Sequence, residues 1–560
     1  MLRWRRVSNI AAAFVAALFV FPSAANADES VGSTRFEAAA WMEPLAELLV
    51  TEDADARDDG AYDELIARVL NEEPVWSDVA DAIRSMSYPD LQTSGDAELR
   101  ATVCTDGVER PWVLVPPSGY DPAHPTPLLV VLHGGVGRAT LIDDPLEYAT
   151  ESHFVGLARD RGWFALLPFG QIEATWWDEV GYESIESLVR TVKREYNIDD
   201  DRVYMSGFSD GASAGFFFAM TMPTDYAAIV ALNGHIGVGS LDGDQPTYAQ
   251  NMAAVPVYAT TTFDDGLYPS WKMQGTIEMA QRAGGDILYR ELAGEHDLTP
   301  FAGTEMPLIG DFLDRHPRDP FPPSIQWEST GALFGRCRWI SIDAYAPGKT
   351  ARWHRDYNVE MIDDRITFGF HPDWDGSEEG NGIPVDGLSD GDYPATRMGL
   401  LAGDVIVGAG TPAAEEERAT VMDIGTLDDL NAFKETLERG DAFSLVVMRD
   451  EGRMTLDGAL DPVGYYNIFK REVPTAAVRA HVSGNRVHID PSALGAFSVY
   501  IYPELFNLDE KITVMVGEDV LFDATVEPDL AYTLRDYLER RDRSMLCAAR
   551  LSFDLGGRGE

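Results

Sequence analysis

Hydrophobic positions follow two different spacings along the chain, and the change of spacing separates its first two regions. In residues 28–98 apolar side chains recur three and four positions apart, as at Leu65, Ile66 and Val69, and such residues share one face of a helix. From about residue 99 to 316, short apolar runs alternate with longer segments of helical spacing. This alternation predicts strands joined by crossover helices, and therefore a mostly parallel, buried sheet.

The short apolar runs of the second region are its predicted strands: residues 112–115, 128–132, 164–167, 203–206, 228–232, 257–261 and 287–292. Segments 184–195 and 270–283 are predicted helices between them. Open parallel sheets bind their ligands at the carboxyl ends of the strands. Candidate functional residues of this region are therefore those that directly follow a run.

A proline-rich segment, residues 319–323, comes next and predicts a linker. The strands predicted beyond it indicate a small all-β domain: residues 339–342, 478–482, 486–489, 497–502, 512–516, 520–526 and 545–553. A unit with its own glycine-rich turns and an amphipathic helix, residues 360–465, interrupts these strands. The β domain is therefore predicted to be discontinuous, formed by residues 324–359 and 474–556.

The first 27 residues have the pattern of a secretory signal peptide. A basic head (Arg3, Arg5 and Arg6) precedes an apolar run over residues 10–21, and residues 25–27 (A-N-A) fit the small-x-small cleavage pattern. No later stretch is apolar for long enough to span a bilayer. The sequence predicts an exported protein, either periplasmic or extracellular, in which residues 28–98 form a helical cap on the α/β region.

The net charge of the chain disfavours some classes of binding partner. The chain has 44 Lys+Arg against 93 Asp+Glu, a formal net charge of −49. Binding to nucleic acid or to an anionic membrane surface needs clustered basic residues, so both are disfavoured. The excess of acidic residues has two interpretations: a solvated surface adapted to salty surroundings, or attraction of a cationic substrate. Because the acidic residues are spread over the whole chain, we favour the solvated surface. The three cysteines, Cys104, Cys337 and Cys547, permit at most one internal disulfide.

A G-x-S-x-G motif, residues 207–211, follows the predicted strand 203–206 and precedes a helical run. At a sharp strand-to-helix turn the serine side chain is forced outward, and the flanking glycines leave room for the strained backbone. The helix N-terminus also favours negative charge that develops nearby. The motif therefore predicts Ser209 as a nucleophile.

Acyl transfer to a serine creates an oxyanion, which must be stabilised by N–H donors that are already in position. A second glycine motif, residues 133–135 (H-G-G), follows the predicted strand 128–132. In this architecture the donors are the amide after the nucleophile and an amide of such a loop. We expect the backbone amides of Gly135 and Asp210 to form the oxyanion hole.

A serine hydroxyl needs a base, and the base needs an orienting acid. In the expected chain order the acid comes second and the histidine third. Asp264 and Asp265 directly follow the predicted strand 257–261, and His296 follows the strand 287–292. His316 is a rival base in a polar, proline-flanked segment. His235 precedes the acid and breaks the expected order.

Residues 100–316 resemble secreted α/β-hydrolases of the esterase and polyhydroxybutyrate-depolymerase-like group. The matching segments are residues 133–135, 201–211 (D-R-V-Y-M-S-G-F-S-D-G) and 265–269 (D-G-L-Y-P). In that family an aspartate four residues before a proline commonly supplies the acid, so the resemblance favours Asp265 over Asp264. It implies a triad of Ser209, Asp265 and His296.

The unit at residues 360–465 resembles a PDZ domain. Residues 399–406 (G-L-L-A-G-D-V-I) match the usual G-L-x-x-G-D-x-I pattern, and the resemblance implies that Phe368, Gly369 and Phe370 form a carboxylate-binding loop. In such domains a peptide adds as a strand, and backbone N–H groups hold its terminal carboxylate. The alternative is a PDZ-like fold that serves only as a spacer.

The predicted architecture is thus multidomain α/β + β: an α/β-hydrolase core with a mostly parallel sheet, a PDZ-like domain and a small all-β domain. The predicted function is that of a secreted serine hydrolase acting on a small acyl ester, with a peptide C-terminus as a further partner at the PDZ-like domain. No H-E-x-x-H, paired C-x-x-C or phosphate-loop pattern is found, so we expect neither a metal nor a cofactor. A serine peptidase and a non-catalytic binding protein on a hydrolase scaffold are the alternatives.

Overall fold

The computed structural model describes residues 39–51, 59–91, 93–348, 350–373, 376–378, 380–389, 391–411, 421–450 and 452–556. The predicted signal peptide, residues 1–27, lies outside the described residues. No helix within the described part of the chain is long and apolar enough to cross a membrane. The chain divides into two compact units, Asn358–Ile468 and the remainder.

An eight-stranded sheet forms the centre of the larger unit, with the strand order β1-β2-β4-β3-β5-β6-β7-β8. Its strands are β1 Glu98–Val103, β2 Glu109–Val115, β3 Thr126–Leu132, β4 Phe164–Pro168, β5 Ile198–Phe208, β6 Ala228–Leu232, β7 Val257–Thr262 and β8 Ile287–Leu292. The pairings from β4 to β8 are parallel, whereas β2 runs antiparallel to both of its neighbours. The prediction of a mostly parallel sheet is confirmed.

Helices connect these strands: α4 Pro145–Glu151, α5 His153–Arg161, α6 Glu179–Glu195, α7 Asp210–Thr221, α8 Val238–Leu241, α9 Ser270–Arg282 and α10 Thr299–Arg315. Strand β6 is buried along its whole length, and so is α7 apart from its first residue. Strands buried on both faces read as continuous apolar runs, which is why they could be found in the sequence. Strand β1 was not predicted from the sequence. It lies at the edge of the sheet, and its residues alternate between exposed and half-buried positions instead of forming an apolar run.

Three N-terminal helices, α1 Met42–Val50, α2 Asp59–Leu70 and α3 Trp76–Arg84, precede the sheet. Their apolar faces form one buried cluster with a C-terminal helix, α13 Leu530–Arg540. In addition, Arg541 Nη1 donates to the carbonyl of Leu49 over 2.7 Å. These helices therefore share a core with α13, a contact that the predicted cap did not include.

The segments on either side of the inserted unit form two further sheets. Their strands are β9 Ser324–Ser329, β10 Arg336–Cys337, β11 Ile340–Tyr345, β20 Ala476–Ser483, β21 Arg486–Ser492, β22 Leu494–Ile501, β23 Ile512–Val516, β24 Asp519–Ala524 and β25 Ala549–Asp554. The sheet orders are β10-β11-β22-β25 and β24-β23-β21-β20-β9. Fully buried Trp327, Trp339 and Phe497 lie in the core between them. Because α13 also belongs to this segment, the prediction of an all-β composition is corrected.

The proline-rich segment predicted as a linker is packed into the larger unit. Arg318 is buried, and its guanidinium contacts Asp542 at 2.6 Å and Asp201 at 2.8 Å. The indole of Trp339 donates to the carbonyl of Pro322 over 2.7 Å. A buried arginine held by two carboxylates fixes the segment in place, since an unpaired buried charge is costly.

The two ends of the larger unit that flank the insert are joined by Arg471. Its Nη2 donates to the carbonyl of Arg355 over 2.6 Å, and its Nε donates to buried Glu328 over 2.5 Å. The hydroxyl of Thr475 donates to the same carboxylate over 2.6 Å. The chain therefore leaves the larger unit and returns to it at one place.

The smaller unit contains β12 Val359–Asp363, β13 Phe370–Pro372, β14 Ile383–Leu388, α11 Pro394–Met398, β15 Val405–Gly410, β16 Val421–Asp423, α12 Leu427–Lys434, β17 Ala442–Arg449, β18 Gly452–Ala459 and β19 Gly464–Ile468. Its main sheet has the order β13-β14-β15-β17-β18, so that β13 is an edge strand, and β12 pairs with β19 at the two ends of the unit. Buried apolar residues, among them Phe368, Leu400 and Phe443, form a core within this unit.

All three cysteines are described, and each is a free, buried thiol. Burial raises the pKa of Cys337 and of Cys547 to about 12. These two thiols therefore stay protonated at neutral pH, and a protonated thiol is a poor nucleophile.

Candidate active site

Ser209 lies in the sharp turn between β5, which ends at Phe208, and α7, which begins at Asp210. Its backbone has φ 59° and ψ −121°, a combination that a residue with a side chain rarely adopts. The amide of Ser209 donates to the carbonyl of Leu232 on β6 over 3.0 Å. This bond fixes the turn to the adjacent strand and holds the hydroxyl at the carboxyl edge of the sheet.

The two glycines of the motif are required by close backbone contacts. A Cβ on Gly207 would lie 2.2 Å from the carbonyl carbon of Gly211, and a Cβ on Gly211 would lie 2.0 Å from the carbonyl oxygen of Leu132. Both separations are far inside van der Waals contact. The helix can therefore start directly against the sheet, which aims its N-terminus at the serine.

Three side chains from three different loops meet at this edge. The distance from Ser209 Oγ to His296 Nε2 is 2.9 Å, and the distance from His296 Nδ1 to Asp265 Oδ2 is 2.8 Å. Asp265 follows β7 and His296 follows β8, and the carboxyl ends of these parallel strands are adjacent. The structure thus brings together the three residues that the sequence singled out.

Asp265 is almost completely buried, at 3% exposure, and its carboxylate is saturated with hydrogen bonds. The amides of Leu267 and Tyr268 each donate to Oδ1 over 2.8 Å. Burial by itself raises the pKa of Asp265, but the bonds from His296 and from these amides outweigh it and hold the pKa below its ordinary value. The carboxylate is therefore ionised at neutral pH and accepts a hydrogen bond from His296 Nδ1.

Asn233 supports Asp265 and was missed in the sequence. It is fully buried, has φ 54°, and its Nδ2 donates to Asp265 Oδ2 over 3.0 Å and to Thr262 Oγ1 over 2.6 Å. Its Oδ1 accepts from Thr260 over 3.2 Å. Its position directly after β6 was the available signal, because polar residues at that edge point toward the site.

Two aromatic rings flank the imidazole of His296. The ring of Phe208 lies 4.8 Å from it, centroid to centroid, and the ring of Tyr268 lies 5.8 Å away in an edge arrangement. The side chain of His296 keeps 20% of its surface exposed. The imidazole is therefore held in one orientation and stays partly exposed.

The rival residues lie elsewhere. Asp264 is exposed, in contrast to its neighbour Asp265. His316 Nδ1 lies 2.7 Å from the carbonyl of Phe312 on its own helix. His235 is buried, and its Nδ1 accepts from the amide of Gly237 over 3.1 Å. Neither histidine occupies the position that His296 holds beside Ser209.

The H-G-G loop, which follows β3, lies against Ser209. A Cβ on Gly134 would lie 2.8 Å from Cβ of Ser209, so a side chain there would displace the serine. Gly135 has φ 70°, a left-handed conformation that suits glycine. The predicted donors, the amides of Gly135 and Asp210, thus belong to two segments that meet at Ser209.

The side chain of Asp210 holds this loop. Its Oδ2 accepts from the amide of Val136 over 3.0 Å. Burial raises the pKa of Asp210 above its ordinary value, and bonds from the amides of Val136 and Gly135 oppose the rise. A carboxyl group therefore lies next to a predicted oxyanion donor, a contact that the motif alone did not reveal.

The buried side chain of His133 stabilises the H-G-G loop from the protein interior. It is 2% exposed, and its Nε2 accepts from the amide of Gly170 over 3.0 Å, while its carbonyl accepts from the indole of Trp176 over 2.9 Å. Burial lowers the pKa of His133 to about 4. The ring is therefore neutral at pH 7 and positions the loop without exchanging a proton.

In the smaller unit, the predicted loop residues have three different environments. Phe368 is 3% exposed and packs on Phe443 at 4.6 Å between ring centroids. Gly369 has φ 82°, and a Cβ there would lie 2.1 Å from Cβ of Tyr393. Phe370 begins the edge strand β13. Phe368 is thus a core residue, whereas Gly369 and Phe370 lie where the loop meets the open sheet edge.

Part of this chain is similar in sequence to parts of known esterases. No family model matches the chain. It is similar to a bifunctional acetylxylan esterase/xylanase of Neocallimastix patriciarum, with 26% identity over 156 residues, 27% of this chain and 21% of that protein. It is also similar to acetylxylan esterase A of Aspergillus oryzae, with 26% identity over 161 residues, 26% of this chain and 50% of that protein. The chain thus spans half or less of the length of these relatives.

Among solved structures, a thermostable esterase is 22% identical, with a TM-score of 0.34 over 40% of this chain and 64% of that chain. The S-formylglutathione hydrolase of Staphylococcus aureus is 15% identical, with a TM-score of 0.32 over 40% of this chain and 98% of that chain.

Proposed function

We propose that the chain is a serine hydrolase of the α/β-hydrolase type that cleaves carboxylic esters. Ser209 is the nucleophile, His296 the general base and Asp265 the orienting acid. One observation carries the proposal: two consecutive short contacts link Ser209 Oγ to a buried, ionised carboxylate through one imidazole. Similarity to two acetylxylan esterases over about a quarter of the chain supports it.

The first half of the reaction is acylation. Ser209 Oγ attacks the ester carbonyl carbon while its proton passes to His296 Nε2. Asp265 keeps the other ring proton on Nδ1, which leaves Nε2 free as the acceptor, and stabilises the imidazolium that forms. His296 then donates its new proton to the alcohol oxygen as the carbon–oxygen bond breaks. The alcohol leaves and the acyl group stays on Ser209.

The negative oxygen of the tetrahedral intermediate needs donors. The amides of Gly135 and Asp210 are the proposed donors, and the N-terminus of α7 adds a favourable dipole. Loss of one such donor typically lowers turnover by about 10²–10³-fold. The Asp210 carboxyl group keeps the loop in register by accepting from Val136.

Deacylation repeats the same proton transfers with water. His296 removes a proton from a water molecule, whose oxygen attacks the acyl carbon. The intermediate collapses to a carboxylic acid, and His296 returns the proton to Ser209 Oγ. The cycle restores the starting state and uses only the residues named above.

The names of the curated relatives favour a short acyl group carried by a carbohydrate. The serine peptidase alternative uses the same triad, so substrate preference must decide between them. We expect the full chain to hydrolyse 4-nitrophenyl acetate with a kcat/KM at least about 10³-fold above that for a peptide 4-nitroanilide. The measurement is initial velocity against substrate concentration for both chromophores.

Substrates of intermediate length act as the control for this comparison. The 4-nitrophenyl butyrate and octanoate esters share the leaving group of the acetate and differ only in acyl chain. A fall in kcat/KM along this series supports an acetyl-sized site. Efficient amide cleavage without preference for esters would replace the esterase by a peptidase.

We further propose that the unit Asn358–Ile468 is a PDZ-type module that binds a peptide C-terminus. Two features support this. The first is the open edge of β13, and the second is the glycine turn at Gly399 and Gly403, with φ 81° and 88°. Asp404 stabilises that turn, since it accepts from the amide of Leu401 over 2.9 Å and pairs with Arg449 at 2.6 Å. A peptide would extend the sheet beside β13.

Free and amidated peptides test this module directly. We expect hexapeptides with an apolar last residue to bind the full chain, and amidation of their C-terminus to weaken binding at least about tenfold. Fluorescence anisotropy on matched pairs measures the effect. Equal binding of both forms would contradict recognition of the terminal carboxylate, and binding of neither across an array of last residues would leave the module as a spacer.

A further inference from the structure

Three large apolar side chains are exposed on one short segment that follows β7. They are Phe263 at 52% exposure, Leu267 at 53% and Trp271 at 68%. The same segment carries Asp265, which is 3% exposed. Side chains of this size are usually buried, and three exposed ones within nine residues of the chain offer apolar surface for an interaction.

This segment is fixed to the triad. The amides of Leu267 and Tyr268 bind the Asp265 carboxylate, and the ring of Tyr268 lies 5.8 Å from that of His296. Trp271 is three residues beyond Tyr268, so their Cα atoms are within about 11 Å of one another. The exposed indole therefore lies at the same edge of the sheet as the nucleophile.

The exposed indole belongs to a helix whose first residue is buried. Helix α9 begins at Ser270, which is fully buried, so the helix start is anchored in the protein. Trp271, the next residue, is 68% exposed. A flat aromatic surface on a rigid helix end loses little conformational entropy when a ligand stacks on it.

The chemistry of the patch selects the kind of ligand. A pyranose ring presents C–H groups on its faces and hydroxyls on its edges, so it can stack on an indole while its hydroxyls reach polar neighbours. Exposed Asp264, between Phe263 and Asp265, offers such an acceptor. With a net charge of −49 on the chain, an uncharged sugar also avoids the repulsion that an anionic alcohol would meet.

We infer that Trp271, with Leu267 and Phe263, forms a sugar-binding platform that holds the alcohol part of an acetylated oligosaccharide next to Ser209. The inference rests on the proposed esterase function and adds to it the residue that selects a carbohydrate leaving group. The acyl part is bound separately, at Ser209 and the oxyanion donors. The platform should therefore affect large carbohydrate esters and leave small aryl acetates unaffected.

Trp271→Ala tests the platform on two substrates. With acetylated xylo-oligosaccharides we expect kcat/KM to fall at least about tenfold, mainly through a higher KM, because one aromatic stacking contact is lost. With 4-nitrophenyl acetate kcat/KM should stay within about twofold of the parent. Trp271→Phe should recover most of the loss, since it keeps a smaller aromatic face. Val520→Ala, at a 54% exposed apolar residue on a strand of another sheet, is the control.

A binding measurement separates the platform from the esterase function. The full chain with Ser209→Ala binds substrate without turning it over, so calorimetry with an acetylated xylo-oligosaccharide gives Kd directly. Adding Trp271→Ala should raise that Kd about tenfold. An equal loss on both esters, or an unchanged Kd, would overturn the platform. Absence of ester hydrolysis by the parent chain would instead overturn the esterase function, whatever the binding result.

Discussion

Replacing Ser209 by alanine should lower kcat for acyl-ester hydrolysis by about 10⁶-fold, the largest effect we expect from any single substitution. The hydroxyl is the atom that forms the acyl bond, and no neighbouring group can take its place. The melting temperature should stay within about 2 °C of the parent. The side chain contributes one hydrogen bond, to His296, while the strained φ of 59° persists in alanine. Steady-state hydrolysis of 4-nitrophenyl acetate and calorimetry measure the two quantities.

Ser85→Ala provides the matched serine control. Ser85 is exposed at the end of α3, where its hydroxyl donates to the carbonyl of Asp81 over 2.6 Å. It should keep full activity and full labelling by a fluorophosphonate probe, whereas Ser209→Ala should lose both. Labelling that persists in Ser209→Ala would move the nucleophile to another residue. A parent chain that is folded but not labelled would favour a binding protein on a hydrolase scaffold.

Replacing Asp265 by asparagine should lower kcat by about 10⁴-fold while leaving the fold intact. The amide is nearly isosteric, but it removes the charge that holds the proton on His296 Nδ1 and stabilises the imidazolium. Much of the lost activity comes from imidazole held in the wrong tautomer. Comparison of kcat and KM separates this from substrate binding, because KM should change little.

The neighbouring carboxylate supplies the control for this variant. Asp264→Asn removes the same charge one residue away, at an exposed position, and should change kcat by less than about threefold. A large loss in Asp264→Asn with a small one in Asp265→Asn would reverse the assignment of the acid.

The pH dependence of the melting temperature provides a second measurement for Asp265→Asn. The pKa of Asp265 is lower in the folded protein than its ordinary value of about 4. Its ionised form therefore stabilises the fold above that pH, and the contribution disappears as the pH falls through the depressed pKa. The difference in melting temperature between parent and variant should shrink as the pH is lowered from 6 toward 3.

The sequence predicted the parts of the site that depend on strand ends and backbone sterics. Ser209, Asp265 and His296 each follow a strand of the sheet, and the parallel order of these strands brings such positions to one edge. The glycines around Ser209 are dictated by contacts below 2.5 Å that a Cβ would make. These features are local, so the pattern of one segment is enough to reveal them.

What the sequence did not predict depends on contacts between distant segments. Asn233 acquires its role because β6 lies beside β7, and its position after β6 does not by itself reveal that Asp265 is its partner. The N-terminal helices share a core with α13, a pairing across more than 400 residues that periodicity cannot reveal. Likewise, the segment predicted as a linker is packed, because Arg318 pairs with Asp201 and Asp542, which are far from it in the sequence.

The inserted unit, Asn358–Ile468, begins and ends next to residues that are joined to one another in the larger unit. Arg471 joins the two chain ends beside the insertion, through the carbonyl of Arg355 and the carboxylate of Glu328. A segment that departs and re-enters at one place acts on its host like a long hairpin loop, and loop length costs little entropy. Evolution could therefore have acquired, exchanged or discarded residues 358–468 without rebuilding the enzyme core. Protein engineers could graft another binding module at the same junction.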